Sequence, residues 1–138
     1  MTQNPPSRRR SIHIEGVSHG SAPIPMASRV DNIIYTSGVA GVDSATSKLA
    51  PGAIEQARHA FANLPSVLAN AGSSLDDVVR LTVYVKDNSA RAPINEQWLA
   101  CFPDPESRPA RHIVVYDLQN GMELQLEAVA VVRQDGAT

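Results

Sequence analysis

Two hydrophobic periods take turns along this chain. Residues 11–16 (Ser-Ile-His-Ile-Glu-Gly) alternate apolar and polar, the period of a short strand. Residues 16–25 contain Gly16, Gly20, Pro23 and Pro25 and read as loop. Residues 26–30 and 33–37 are strand-like runs separated by Asp31-Asn32, a two-residue hairpin signal. Gly38 and Gly41 break the second run, and residues 43–52 read as a polar loop closed by Pro51-Gly52. Over residues 53–71 the period lengthens. Ile54, Ala57, Phe61, Leu64 and Leu68 recur at three- and four-residue steps, which predicts a helix with Gly72 at its C-terminal cap. Pro65 removes one backbone donor and is expected to kink or split that helix.

Residues 78–86 return to strand period, with Val79, Leu81, Val83 and Val85 on one face. Residues 91–102 predict a second, shorter helix that aligns Ile94, Trp98 and Cys101. Pro103, Pro105 and Pro109 keep the next segment out of helix. Residues 111–116 and 122–132 close the chain as strands around an Asn120-Gly121 turn. The last strand fills one face with Met122, Leu124, Leu126, Ala128, Ala130 and Val132. Its other face carries Glu123, Gln125 and Glu127, then turns apolar at Val129 and Val131. A second face that is half polar and half apolar is expected to meet another subunit or a ligand. The order β-β-β-α-β-α-β-β is α+β: a single mixed sheet with two helices packed on one face.

Composition narrows the function classes. The 138 residues suit one domain, expected over residues 11–138 after a flexible tail over residues 1–10. A net charge of −2 argues against nucleic acid as a partner; the local exception is Arg8, Arg9 and Arg10, read here as a solvated tail. Cys101 is the single cysteine, so no intramolecular disulfide and no CxxC metal pair can form. No apolar run reaches the roughly 18 residues of a membrane span, and the N-terminus lacks a signal-peptide core, so a cytoplasmic location without membrane contact is expected. His13, His19, His59 and His112 lack paired metal-ligand spacing, so no metal is expected. Ser37 stands outside any Gly-x-Ser-x-Gly elbow. Gly38-Val39-Ala40-Gly41 fits neither a dinucleotide nor a phosphate-loop pattern.

Several ordered motifs carry a resemblance. Thr36-Ser37-Gly38, Ala71-Gly72 before the strand from Val78, Ile94-Asn95, Pro109-Ala110-Arg111 and Gln125-Leu126-Glu127-Ala128-Val129-Ala130 succeed one another from about Pro23 to Val132. In that order they resemble the Rid (YjgF-type) family of enamine/imine deaminases. The resemblance implies a chorismate-mutase-like or YjgF-like α+β fold, assembled as a homotrimer with clefts between subunits. It further implies that Arg111 clamps a substrate carboxylate, for which the two parallel donors of a guanidinium are suited. The competing role for Arg111 is an ion pair with Asp104 or Glu127. Ser37 and Gly38 match the family's cleft floor, Asn95 its interface asparagine, and backbone groups at Ile113 are expected to help hold the substrate.

The departures matter as much. The family's water-activating glutamate falls at Gln125, two residues before Glu127, and glutamine can hold a water but not take its proton. The aromatic residue usual after the early proline is Ile24, and the residue after the clamp is His112. His19 lies in the loop expected to border the cleft. The proton-transfer candidates are therefore His112, favoured narrowly over Glu127, with His19 third and water-positioning by Gln125 alone as the alternative. Hydrolytic deamination of a small carboxylate-bearing enamine or imine is the expected activity, without a cofactor because the substrate is already electrophilic. The rivals are a non-catalytic ligand-binding trimer and an RNA-cleaving activity, against which the net acidity counts.

Overall fold

The computed structural model describes residues 7–134. Its strands are β1 (Arg9–Ile12), β2 (Ala27–Val30), β3 (Ile33–Thr36), β4 (Val39–Ala40), β5 (Val42–Asp43), β6 (Lys48–Leu49), β7 (Val78–Val85), β8 (Ala110–Val115) and β9 (Leu124–Val131). Two helices accompany them, α1 (Gly52–Asn70) and α2 (Arg91–Cys101). One sheet runs β1-β2-β3-β9-β7-β8, β4 pairs with β9 beyond the end of β3, and β5 and β6 form a small hairpin of their own. Among the described residues all strand pairs are antiparallel except β7 and β8, which α2 connects as a parallel pair. Such a pair needs a long crossover rather than a tight turn. The mixed sheet with two helices is the α+β architecture expected from the element order.

The helices cover one face. Ile34, Val39, Leu81, Val83, Val85, Leu124, Leu126, Ala128 and Ala130 on the sheet pack against Ala57, Ala60, Phe61, Leu64, Val67 and Leu68 of α1 and Ile94 of α2. The unbroken apolar face read in the last strand is therefore the core face. Its opposite face is open, and there Ile33 pairs with Val131 and Tyr35 with Val129. Tyr35 is 61% exposed, so an apolar strip faces solvent in the single chain.

Gly72 caps α1 as predicted. It adopts φ +81°, Ser73 N–H donates to Leu68 C=O at 2.8 Å, and Gly72 N–H donates to Ala69 C=O at 3.0 Å. These two bonds are a Schellman motif, which closes the last turn with a residue in the left-handed region. Two arginines complete the cap from outside the helix. Arg29 Nη1 donates to Ala71 O at 2.6 Å and Arg10 Nη2 to Asn70 O at 3.3 Å. Arg10 and Arg29 are cross-strand partners, and the partial negative charge of the helix C-terminus offsets their mutual repulsion.

Several expectations need correction. The first strand lies at Arg9–Ile12 rather than residues 11–16, so Arg9 and Arg10 are strand residues, and Arg8 pairs with Asp31 at 2.6 Å. Of the tail expected over residues 1–10, residues 1–6 lie outside the described residues. The loop expected over residues 43–52 holds the β5–β6 hairpin. Pro65 does not split α1, which continues through it for 19 residues. Ile54 is 67% exposed, whereas Gln56 and Asn63 are buried, so the inner face of α1 is rotated from the one its apolar residues suggest. In β7 a register shift between Val78 and Arg80 turns Val79 outward and gives its core position to Val78.

Candidate active site in two parts

The buried polar residues of α1 build the first part. Asn63 Nδ2 donates to Ala40 O at 3.2 Å and Val42 O at 2.8 Å. Gln56 Nε2 donates to Ala50 O at 3.0 Å and Gly121 O at 3.2 Å, while its Oε1 accepts from Glu123 N–H at 2.8 Å. Two helix side chains thus fix β4, the β5–β6 hairpin and the Asn120-Gly121 turn. The loop before β2 supplies the opposite wall. Together they enclose a cavity of about 300 Å³ whose lining includes His19, Gly38, Asn120, Met122 and Gln125, with Val17, Met26 and Leu49 among its apolar walls.

At its floor the chain leaves the ladder between β3 and β4. Thr36 Oγ1 accepts from Ala128 N–H at 2.9 Å, so its buried hydroxyl replaces a strand-to-strand bond where the pairing is interrupted. Ser37 Oγ donates to Pro25 O at 2.7 Å, leaving its oxygen as an acceptor only. Gly38 then passes under Gln125, whose Nε2 lies 3.8 Å from Met122 Sδ. His19 Nε2 is buried without a hydrogen-bond partner among the described residues.

Arg111 forms the second part, at the start of the edge strand β8. Its guanidinium lies 4.9 Å from the centre of the Trp98 ring on α2, and Trp98 packs on Phe102 with ring centres 4.8 Å apart. Arg108 Nε donates to Phe102 O at 2.8 Å, tying the end of α2 to the segment that leads into β8. Ion pairing with Asp104 or Glu127 is absent: among the described residues the ion pairs are Arg8–Asp31 and Arg58–Glu55. Arg111 Nη1 is buried without a hydrogen-bond partner among the described residues. Partial burial, and then the charge of Arg91, pull its pKa below the usual guanidinium range.

The two parts stand on opposite faces of the sheet. Arg111 is level with Leu81 on the covered face, and Gln125 is level with Tyr84 on the open face. Two strand spacings and three residues of rise put their Cα atoms about 14 Å apart. His112 and Glu127 are both level with Thr82 on the open face, one strand to either side of it. Of the residues singled out in the sequence, His19, Gly38 and Gln125 line one cavity, with Ser37 beside it. Ile24 is 48% exposed and outside the lining. Asn95 is exposed one turn before Trp98 on α2, and Ile113 lies two residues beyond Arg111. The sequence reading missed Trp98, Met122 and Asn120 as site residues. For Trp98 a signal existed: the chain's single tryptophan, on the helix that leads into the Pro-Ala-Arg segment.

Comparison with known proteins identifies the family. The family model described as endoribonuclease L-PSP matches residues 21–132. A 2-iminobutanoate/2-iminopropanoate deaminase of Mus musculus is 36% identical over 111 residues, which cover 79% of this chain and 81% of the relative. The 3-aminoacrylate deaminase RutC of Acinetobacter baylyi is 36% identical over 101 residues, covering 72% of this chain and 79% of that protein. The crystal structure of RidA from Psychrobacter sp. PAMC 21119 superposes with a TM-score of 0.81 at 31% identity, covering 89% of this chain and 99% of that one. With a family model spanning most of its length and the same sheet and helices, the chain belongs to the endoribonuclease L-PSP family, that of the YjgF and RidA proteins.

Proposed function

We infer that the protein is a cofactor-independent hydrolytic deaminase of small carboxylate-bearing enamines or imines, acting in clefts between the subunits of a homotrimer. One observation carries this reading: Arg111 is a half-buried cation with no carboxylate partner among the described residues and one unpaired nitrogen. A carboxylate ligand satisfies both demands with two parallel hydrogen bonds. The cavity with His19, Gly38 and Gln125 is too far from Arg111 in one chain for a small substrate to span. A second copy resolves this if its cavity faces the Arg111 edge of the first. The solvent-facing Ile33, Tyr35 and Val131 supply an apolar surface for such a copy.

In the cleft, Arg111 orients the substrate through its carboxylate and the imine carbon lies toward the cavity. Gln125 Oε1 accepts a hydrogen bond from the attacking water but takes no proton. Water adds to the C=N carbon, one of its protons passes to the imine nitrogen, and the carbinolamine collapses to a carbonyl compound and ammonia. His19 now leads the candidates for proton transfer, since it shares the cavity with Gln125. Its Nε2 has no partner among the described residues to compete for that role. His112 and Glu127, on the open face, follow it.

The test is ammonia release from an imine generated in situ by an amino-acid dehydratase. The protein should accelerate release, and Arg111→Ala should lose one to two decades in kcat/KM, the worth of about 1.5–3 kcal/mol for a charged hydrogen bond. Binding of a 2-oxo acid without acceleration would instead identify a ligand-binding trimer.

A further inference from the structure

Relying on the clamp reading of Arg111 above, we propose that Trp98 is a positioning residue for substrate binding, whose indole face holds the Arg111 guanidinium so that its donors stay turned toward the carboxylate. The geometry is a chain of two contacts, with the Trp98 and Phe102 rings tilted at 55° to each other. The guanidinium lies 4.9 Å from the Trp98 ring centre, and Trp98 in turn rests on the buried Phe102 at 4.8 Å. Arg108 anchors the same helix end through Phe102 O and, at 3.3 Å, Pro103 O. Phe102, under the indole, is therefore tied to the segment that leads into the strand carrying Arg111.

An aromatic support suits this place for a specific reason. A carboxylate partner would orient the guanidinium equally well, but it would neutralise the charge and occupy the donors that the substrate needs. A ring face attracts the cation through its quadrupole and takes up no N–H donor. Arginine loses several rotatable degrees of freedom when it binds a ligand, and a guanidinium already held in plane loses fewer. Burial and Arg91 both disfavour the lone cation, so the site retains a net attraction for an anion.

Because Trp98 is the only tryptophan, it also reports on its own site. The experiment measures the Kd of 2-oxobutanoate, a stable product-like carboxylate, by calorimetry and by Trp98 fluorescence, and then KM and kcat for deamination. The variants are Trp98→Leu, Trp98→Phe, Arg111→Ala and the Trp98→Leu/Arg111→Ala double variant. Trp98→Leu should raise Kd and KM together by about two- to thirtyfold while kcat stays within about twofold. Trp98→Phe, which keeps a ring face, should recover most of that loss. In the Arg111→Ala background, Trp98→Leu should change Kd by less than about twofold, because the two residues act as one unit. The ligand-induced change in Trp98 emission should vanish in Arg111→Ala. Unchanged Kd and KM in Trp98→Leu, or an equal penalty with and without Arg111, overturns the proposal and leaves the clamp standing. If Arg111→Ala itself leaves Kd unchanged, the clamp reading fails, and the role of Trp98 with it. Should Trp98→Leu not fold, the same cycle is closed with Trp98→Met, which also lacks a ring face.

Discussion

The carboxamide of Gln125 lies directly against the backbone of Gly38: a Cβ added at residue 38 would sit 2.3 Å from Gln125 Nε2 and 2.4 Å from Cδ. This contact fixes where the Gln125 side chain can be. Gly38→Ala should therefore push the carboxamide aside. The displaced group is the end of a flexible side chain, so the fold should survive with a Tm within a few degrees of wild type. Activity should fall about tenfold or more, since small displacements of a group aligned with the substrate are costly. Differential scanning calorimetry and ammonia-release kinetics on one preparation check both halves.

Gln125→Glu puts an ionisable group at the same place. It should raise the rate on 2-aminoacrylate and change the acidic limb of the pH–rate profile, because a carboxylate then joins the groups that can take the proton. His19→Gln, His112→Gln and Glu127→Gln on the wild-type background then separate the remaining candidates. The largest loss in kcat is expected for His19→Gln. An equal rate in His19→Gln would pass the role to the open face.

The open face makes an assembly prediction. Tyr35 and Val129 are paired residues on that face, beside Ile33 and Val131. Light scattering of wild type should give about three times the 14.8 kDa chain mass. Tyr35→Asp should yield smaller species and lose deaminase activity with them, because the charge would have to be buried without a partner. A wild-type monomer at micromolar concentration would remove the intersubunit cleft.

The cap of α1 makes a stability prediction. Gly72→Ala forces a side chain into φ +81° and sets its Cβ 2.8 Å from Arg29 Nη1, disturbing the Arg29–Ala71 bond as well. The expected loss is about 1–2 kcal/mol in urea unfolding, with an unchanged slope.

The thiol of Cys101 offers a pH test of the α2 packing. Partial burial raises its pKa above the ordinary cysteine value. A raised thiol pKa means less thiolate at pH 8, so alkylation should be slower in the folded protein than in urea. The folded-state rate should still be rising at pH values where a free thiol has levelled off. Iodoacetamide labelling followed by mass spectrometry gives both rates.

Local patterns were enough for much of this fold. The last strand alternates without interruption, and Leu124, Leu126, Ala128 and Ala130 are all fully buried, because a period of two admits only one core face. Gly72 stood where only a left-handed residue ends a helix economically, and its Schellman bonds are local. The Asp31-Asn32 hairpin and the Pro-Ala-Arg strand entry were equally legible. What failed were positions where a neighbour far along the chain decides. Gln56 and Asn63 look like surface residues of α1, yet backbone carbonyls of β4, the β5–β6 hairpin and the Asn120-Gly121 turn draw them inward and leave Ile54 outside. Val79 follows the strand period and still points to solvent, since one extra residue against β9 shifts the register. The same holds for the site. The chain's motifs named Arg111 and Gln125 but could not say that they lie on opposite faces of the sheet. Nor could they say that the partner of Arg111 is an indole rather than a carboxylate. Both follow from the register of three strands and one helix crossing, which no stretch of sequence contains.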